Sequence, residues 1–174
     1  MIIKSKSYKH RRCYKTVTEY ILRDIEKNDS FVLTRFIKGK DKSPQAIAKQ
    51  LEHNESYRIH KRSNNVKLFM EIISFHKQDT PKLDNKTLEK IAKKYIAIRS
   101  ELAISVATVH RDKKHTHLHI LFSGVQYRTG KSIRLSKSEF KEKKLTIESF
   151  TRERYPQLKR SEIDHQKPSP SKKN

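Results

Sequence analysis

His110-Arg111-Asp112-Lys113-Lys114-His115-Thr116-His117-Leu118-His119-Ile120 is the stretch on which the reading of this chain turns. Residues 120–125, which follow it, carry no charge, so the histidines stand at the mouth of an apolar strand. Alternate side chains of a strand share a face, which sends His117 and His119 one way and Leu118, Ile120 and Phe122 the other. Upstream, Ile104-Ser105-Val106-Ala107-Thr108-Val109 also reads as a strand and runs into His110. Residues 111–116 suit a loop between two strands, a little long for a tight hairpin. Pairing the two strands carries His110 to the strand end where His117 and His119 project. Three imidazoles at one strand end are a candidate metal site.

Working outward, the order of elements is β-α-β-α-β-α-β-β-α. Strands are expected at residues 1–6, 31–37 and 66–75, besides the two of the hairpin. A helix is expected from residue 16 to about 28, with Val17, Tyr20, Ile21 and Ile25 at helical spacing. Ser43-Pro44 is a helix start, a cap residue followed by proline at the first position, and leads a helix to about Glu55. Asp84 can cap a long helix through Leu88, Ile91, Tyr95, Ile98 and Leu102, and a last helix is expected over residues 138–154. Strict alternation also suits a parallel sheet, but the closing hairpin favours an α+β sandwich with a central, mainly antiparallel five-stranded sheet flanked by helices. We expect one domain over residues 1–158 and a polar, flexible tail over 159–174.

The chain has 174 residues, enough for one domain with a real core. Its formal net charge is +22, which favours a polyanionic partner, nucleic acid first and an acidic membrane surface second. A generally lysine-rich surface accounts for such a charge too. The single cysteine, Cys13, cannot form an internal disulfide, which fits a reducing compartment. Arg11, Arg12 and Lys15 beside it could lower its pKa, but a bland solvent-facing or half-buried thiol is the favoured reading. No apolar run approaches the roughly 20 residues that span a bilayer, and residues 1–12 lack the apolar segment of a secretory leader. A cytoplasmic protein with no membrane insertion is expected.

Neutral imidazoles ligate Zn, Mn, Fe, Co, Ni or Cu, and an ion with open positions polarises a phosphoryl oxygen. A lone histidine on a strand is usually a satisfied surface or core residue, but four histidines within ten positions, 110 to 119, are harder to explain in that way. His115 shares the parity of the others yet lies in the loop, so it is either a neighbour of the ligands or simply exposed. Asp112, two residues after His110, either orients an imidazole, accepts a proton, or makes a turn.

The pattern His110-x-Asp112-x4-His117-x-His119 followed by an apolar strand resembles the third motif of the conjugative relaxases, the mobilisation nucleases of plasmids and integrative elements within the HUH superfamily. The strand Met1-Ile2-Ile3-Lys4 followed by Thr18-Glu19-Tyr20-Ile21-Leu22-Arg23-Asp24 resembles the first motif, whose helical tyrosine is the nucleophile. Met70-Glu71-Ile72-Ile73-Ser74-Phe75 resembles the second, whose serine lies by the DNA near the cut, and Tyr127-Arg128-Thr129-Gly130-Lys131-Ser132 resembles the stretch after the histidines in many mobilisation proteins. The likeness spans residues 1 to about 165; the histidine motif is the most specific and the serine motif the least. It implies a site- and strand-specific nickase acting on single-stranded or hairpin DNA at an origin of transfer, with Tyr20 joined to the 5′ phosphate and a 3′ hydroxyl released. It also implies catalytic roles for Tyr20, Asp112 and Ser74, and a divalent metal on His110, His117 and His119. Magnesium or manganese is the expected ion; Zn, Ni or Co suit the same donors. Accessory mobilisation proteins and a coupling protein are the further partners it implies. Relaxases typically carry a further domain after the nuclease part.

By helical pattern alone Tyr20 is a core-edge tyrosine, and the motif makes it the nucleophile, with Tyr14 the second choice. Lys9, Arg11, Arg12, Arg128, Lys131 and Arg134 are candidate phosphate contacts that position without reading bases. Two alternatives stand beside this reading. A replication initiator or single-strand transposase of the same superfamily places its tyrosine after the histidines, where Tyr127 and Tyr155 are available. A non-catalytic nucleic-acid-binding module would close a structural metal site with His115 as fourth ligand.

Overall fold

The computed structural model describes residues 1–23, 25, 29–111 and 115–161. Asp112 and the part of the expected tail beyond residue 161 lie outside them. Five strands form one sheet: β1 (Ile2–Tyr8), β2 (Leu33–Arg35), β3 (Leu68–Ser74), β4 (Ala103–Arg111) and β5 (Thr116–Gln126). Their spatial order is β1-β3-β5-β4-β2 and every pairing is antiparallel, as the hairpin predicts. Four helices cover it: α1 (Cys13–Ile21), α2 (Pro44–Glu55), α3 (Asn85–Ser100) and α4 (Lys137–Arg154). The fold is the expected α+β sandwich with helices on both faces.

Each face of the sheet has its own apolar core, because strand residues of opposite parity point to opposite sides. Phe69, Ile73, Leu118, Ile120 and Phe122 pack with Leu88, Ile91 and Tyr95 of α3 and Ile147 of α4. Leu68, Met70, Ile104, Val106 and Leu121 pack with Tyr14, Val17 and Ile21 of α1 and Ile47 and Leu51 of α2.

Local signals explain most boundaries. The Ser43 hydroxyl accepts from the Ala46 amide with Pro44 in the first turn, and Asp84 caps α3 through the Thr87 amide. Ser136 and Glu139 form a reciprocal capping box at the start of α4. Several boundaries differ from expectation, those of α1 and β2 most. The first helix starts at Cys13, inside the expected basic loop, because Cys13 and Tyr14 are buried against α2, and it ends at Ile21, with Leu22 outside helical geometry. The strand expected over 31–37 shrinks to Leu33–Arg35 at the sheet edge, where Phe36 turns into the left-handed region at φ 59°. A 3₁₀ turn, Lys77–Lys82, capped by the His76 side chain, follows β3. A second one, Lys159–Ser161, opens the expected tail; its Ser161 hydroxyl donates to Asp79 and accepts from the His76 amide.

Candidate active site

Register builds the site. Ile2 of β1 lies opposite Ser74 of β3, Ser74 opposite His117 of β5, and His117 opposite His110 of β4. The adjacent row is Lys4, Ile72, His119 and Thr108. Directly opposed residues share a face, so the three histidines project from the face that α1 and α2 cover, at the end of α1 that carries Tyr20. The hairpin therefore carries His110 to His117 and His119, as the sequence predicts.

The ring centroids of His110 and His119 are 4.2 Å apart, and those of His117 and His119 are 6.3 Å apart. The Tyr20 ring stands edge-on to both, 5.7 Å from His110 and 5.8 Å from His119. Tyr20 is 38% exposed, so its phenol is open to solvent beside the histidines. Arg23, one turn further along the chain, holds its guanidinium 4.5 Å from the centre of the Tyr20 ring.

Each histidine meets a different environment. His117 Nδ1 lies 2.9 Å from the Ser74 hydroxyl, which fixes the ring plane. His110 Nε2 donates to the Ile21 carbonyl at 2.8 Å, tying the end of α1 to β4. His119 is buried, and its Nδ1 has no hydrogen-bond partner. Burial first, then the neighbouring His110, His117, Arg23 and Lys6, push its pKa down to about 3, so the imidazole is neutral near pH 7. Among the described residues the donor atoms do not converge on a coordination shell. The donor set nevertheless suits a divalent cation: an orphaned, neutral, buried imidazole nitrogen is a costly group that an ion would satisfy.

The other predicted residues fall into three groups. His115 lies 6.0 Å from His117, ring to ring, and turns into a cavity of about 340 Å³ that Met1, Ile2, Phe75 and Arg160 also line. Tyr14, the second choice for a nucleophile, is buried in the α1/α2 core, and burial raises its pKa. Tyr127 stacks on Phe36 at the far end of the sheet, and Tyr155 is buried in the core of the opposite face. Of the tyrosines considered from sequence, Tyr20 alone adjoins the histidines. Lys9, Arg11, Arg12, Arg128, Lys131 and Arg134 are all exposed, but they follow the ends of β1 and β5 remote from the histidines. Arg11 is engaged with Glu52.

Sequence reasoning missed Arg23, Lys4 and Lys6. Arg23 follows Tyr20 by three positions but lies beyond the end of α1, in the turn that brings its guanidinium over the Tyr20 ring. Lys4 and Lys6 share the parity of the strand row that faces the histidines, which needed the β1–β3 register to recognise.

The family model "Relaxase: MobA/VirD2-like, nuclease domain" matches residues 20–155. No curated protein matches the chain. Among solved structures, the MobM relaxase domain (MOBV; Mob_Pre) bound to 22 nucleotides of plasmid pMV158 oriT DNA, a Mn-bound crystal structure, is similar at a TM-score of 0.68 and 15% identity, covering 98% of this chain and 95% of that one. The same domain bound to 26 nucleotides of oriT DNA gives 0.52 and 17%, covering 99% and 94%. A structure described as the molecular basis of vancomycin resistance transfer in Staphylococcus aureus gives 0.61 and 14%, covering 90% and 92%. At these identities the likeness speaks for the fold. Among the described residues no helix is long and apolar enough to cross a membrane.

Proposed function

We propose, from the premise that this chain belongs to the relaxase family with a MobA/VirD2-like nuclease domain, that it nicks one strand of DNA at an origin of transfer by tyrosine transesterification. The observation that carries the reading is the placement of Tyr20, exposed and edge-on to His110 and His119. That the similar MobM domain is bound to oriT DNA supports the same substrate class here.

In this reading the Tyr20 Oη attacks the scissile phosphorus. A tyrosine–phosphorus bond forms, the bond from phosphorus to the 3′ oxygen breaks, and that oxygen leaves as a 3′ hydroxyl after taking up a proton. The tyrosine stays on the 5′ phosphate, and the bond energy it holds lets the reverse reaction rejoin the strand. Tyrosine is a weak nucleophile, with a free pKa of about 10, so positioning and charge must supply the rate. His110, His117 and His119 would hold a divalent ion, magnesium or manganese by family and by the Mn-bound relatives, which when bound offsets charge on the phosphate. Ser74 holds the His117 ring in one orientation through Nδ1. Arg23 and Lys6 add positive charge where the phosphate enters. Asp112 is assigned as proton acceptor by motif alone. Accessory mobilisation proteins and a coupling protein complete the proposed partners, in a cytoplasmic setting.

The test is covalent capture. The protein is mixed with random single-stranded oligonucleotides and Mn²⁺, denatured and digested, and the nucleotide-bearing peptide is found by mass spectrometry. A 5′-phosphate on Tyr20, lost in Tyr20→Phe and on chelation, is the expected result. An adduct on Tyr127 or Tyr155 would move the chain to initiator or transposase chemistry. Tight binding without any adduct would leave a non-catalytic binding module.

A further inference from the structure

The end of the sheet away from the histidines carries a second feature on the same face. Ile104 of β4 lies on the same face as His110, six positions away along the strand, roughly 20 Å. Over Ile104 lies a cavity of about 320 Å³ whose other walls are Phe36, His53, Tyr57, Tyr127, Lys38 and Arg128, with α2 closing one side.

Its walls are aromatic and cationic. Phe36 and Tyr127 stack in parallel, 4.8 Å between centroids and 10° between planes. Arg128 lies over the Tyr127 ring at 5.1 Å, and Arg35 over the Phe36 ring at 5.2 Å. Tyr57 stands edge-on to His53 at 5.5 Å and is 44% exposed. Phe36 and Arg128 both have φ of 59°, the left-handed region that side chains of this size rarely adopt. Both positions are chain reversals, one after β2 and one in the turn after β5, and they set the two rings of the stack against each other.

The fold keeps this arrangement rigid. The Gln50 amide grips the backbone of Lys38 on both sides, accepting from its N–H at 2.8 Å and donating to its carbonyl at 3.0 Å. Asn54 donates to Ser123 and accepts from the Arg128 amide at 3.1 Å. Gly130 lets the 127–130 turn lie against Tyr57, for a Cβ there would meet the Tyr57 carbonyl oxygen at 1.8 Å. These amides are spent on the protein's own backbone and side chains. The surface left for a ligand is therefore the exposed Tyr57 ring, the edges of the Phe36–Tyr127 stack and positive charge, which suits a flat π-system attached to an anion.

We infer that this cavity takes an unpaired nucleobase of the bound DNA strand, remote from the scissile phosphate, by stacking and without reading its edge. The inference rests on the DNA-nicking reading above. Stacking on aromatic faces beside arginine is how single strands are held without sequence preference. The net charge of +22 favours a polyanion, and a strand held at both places passes outside α1 and α2, which bury the sheet face between the histidines and the cavity.

Photo-crosslinking tests it. The full chain is bound to a pool of random 30-nucleotide single strands containing 5-iododeoxyuridine, irradiated, digested and mapped by mass spectrometry. Crosslinks at Tyr57, Tyr127, Phe36 or His53 are expected, with little dependence on the bases flanking the iodouracil. In parallel, fluorescence anisotropy with the same pool compares Tyr57→Leu, a change at an exposed ring, with Tyr57→Phe. Tyr57→Leu should weaken binding about fivefold or more with an unchanged salt dependence, and Tyr57→Phe should restore it. Crosslinks confined to other residues, or wild-type affinity in Tyr57→Leu, would overturn the inference while leaving the nicking reading intact. Failure of the wild-type chain to bind any of the pool would remove the DNA reading and this inference together.

Discussion

Glu71 and Arg99 give the sharpest test of how the fold is held. Glu71 sits on β3 facing α3, and its side chain and that of Arg99 are 0% and 2% exposed. Arg99 Nε donates to Glu71 Oε1 at 2.8 Å and its Nη1 to the Ile133 carbonyl at 3.0 Å, while the Tyr95 hydroxyl donates to Glu71 Oε2. The guanidinium also lies over the rings of Phe69 and Phe122, at 5.3 and 5.6 Å. Arg99→Met leaves the carboxylate buried with only hydroxyl donors; Glu71→Leu leaves the guanidinium buried without its counter-charge. Each single change should cost about 3–5 kcal/mol, a large share of a domain stability of roughly 5–15 kcal/mol. The double variant removes both charges and leaves the Tyr95 hydroxyl short of an acceptor and the Ile133 carbonyl short of a donor, about 1–3 kcal/mol each. Its loss should therefore fall short of the sum of the two single losses, with a coupling of about 3 kcal/mol. Urea denaturation followed by far-UV circular dichroism measures all four members of the cycle. Additive losses, or single-variant losses below about 1 kcal/mol, would refute the reasoning.

Ser74→Ala removes the partner of His117 Nδ1 and should raise the Mn²⁺ concentration needed for covalent capture about tenfold or more, without a change in urea midpoint; an unshifted Mn²⁺ titration would count against the orienting role. Cys13 is fully buried, and burial pushes its thiol up to about 11, in keeping with the plainer reading of a bland thiol and not with an activated one. Its thiolate is therefore scarce at pH 8, and iodoacetamide should label it roughly a hundredfold more slowly in the native chain than in urea. Because the native pKa lies above the unfolded one, stability from this group is present below about pH 9 and is lost as pH rises through 11. Gly130→Ala forces a Cβ against the Tyr57 carbonyl oxygen at φ +70° and should lower stability by about 1–3 kcal/mol, read by the urea midpoint; a neutral result would mean that the 127–130 turn moves freely.

How much of this was legible depended on whether the signal was local. The alternation through His117, Leu118 and His119 names a face without any partner strand, and Ser43-Pro44 and Asp84 name helix starts by their own chemistry. The start of α1 has no such mark: Arg12 makes no side-chain cap, and Cys13 joins the helix because α2 buries it. Phe36 looks like a strand residue until the chain is seen to reverse there. The basic residues expected as phosphate contacts are exposed, but charge carries no address, and only the strand directions place Lys9–Arg12 and Arg128–Arg134 at the end opposite the histidines.

The site itself is a consequence of register. Ile2, Ser74, His117 and His110 come from four strands spread over more than a hundred residues, and they share one row only because three antiparallel pairings are each in the observed register. Strand side chains alternate, so a slip of one residue in β3 would send Ser74 to the face occupied by Phe69, Glu71 and Ile73 and turn those three to the face that α1 and α2 cover. The Glu71–Arg99 pair resists that slip, since the displaced carboxylate would lose Arg99 and Tyr95 and enter the apolar α1/α2 core. The buried ion pair on one side of the sheet thus acts on the site on the other side. It holds the register that joins Ser74 to His117, without touching either residue.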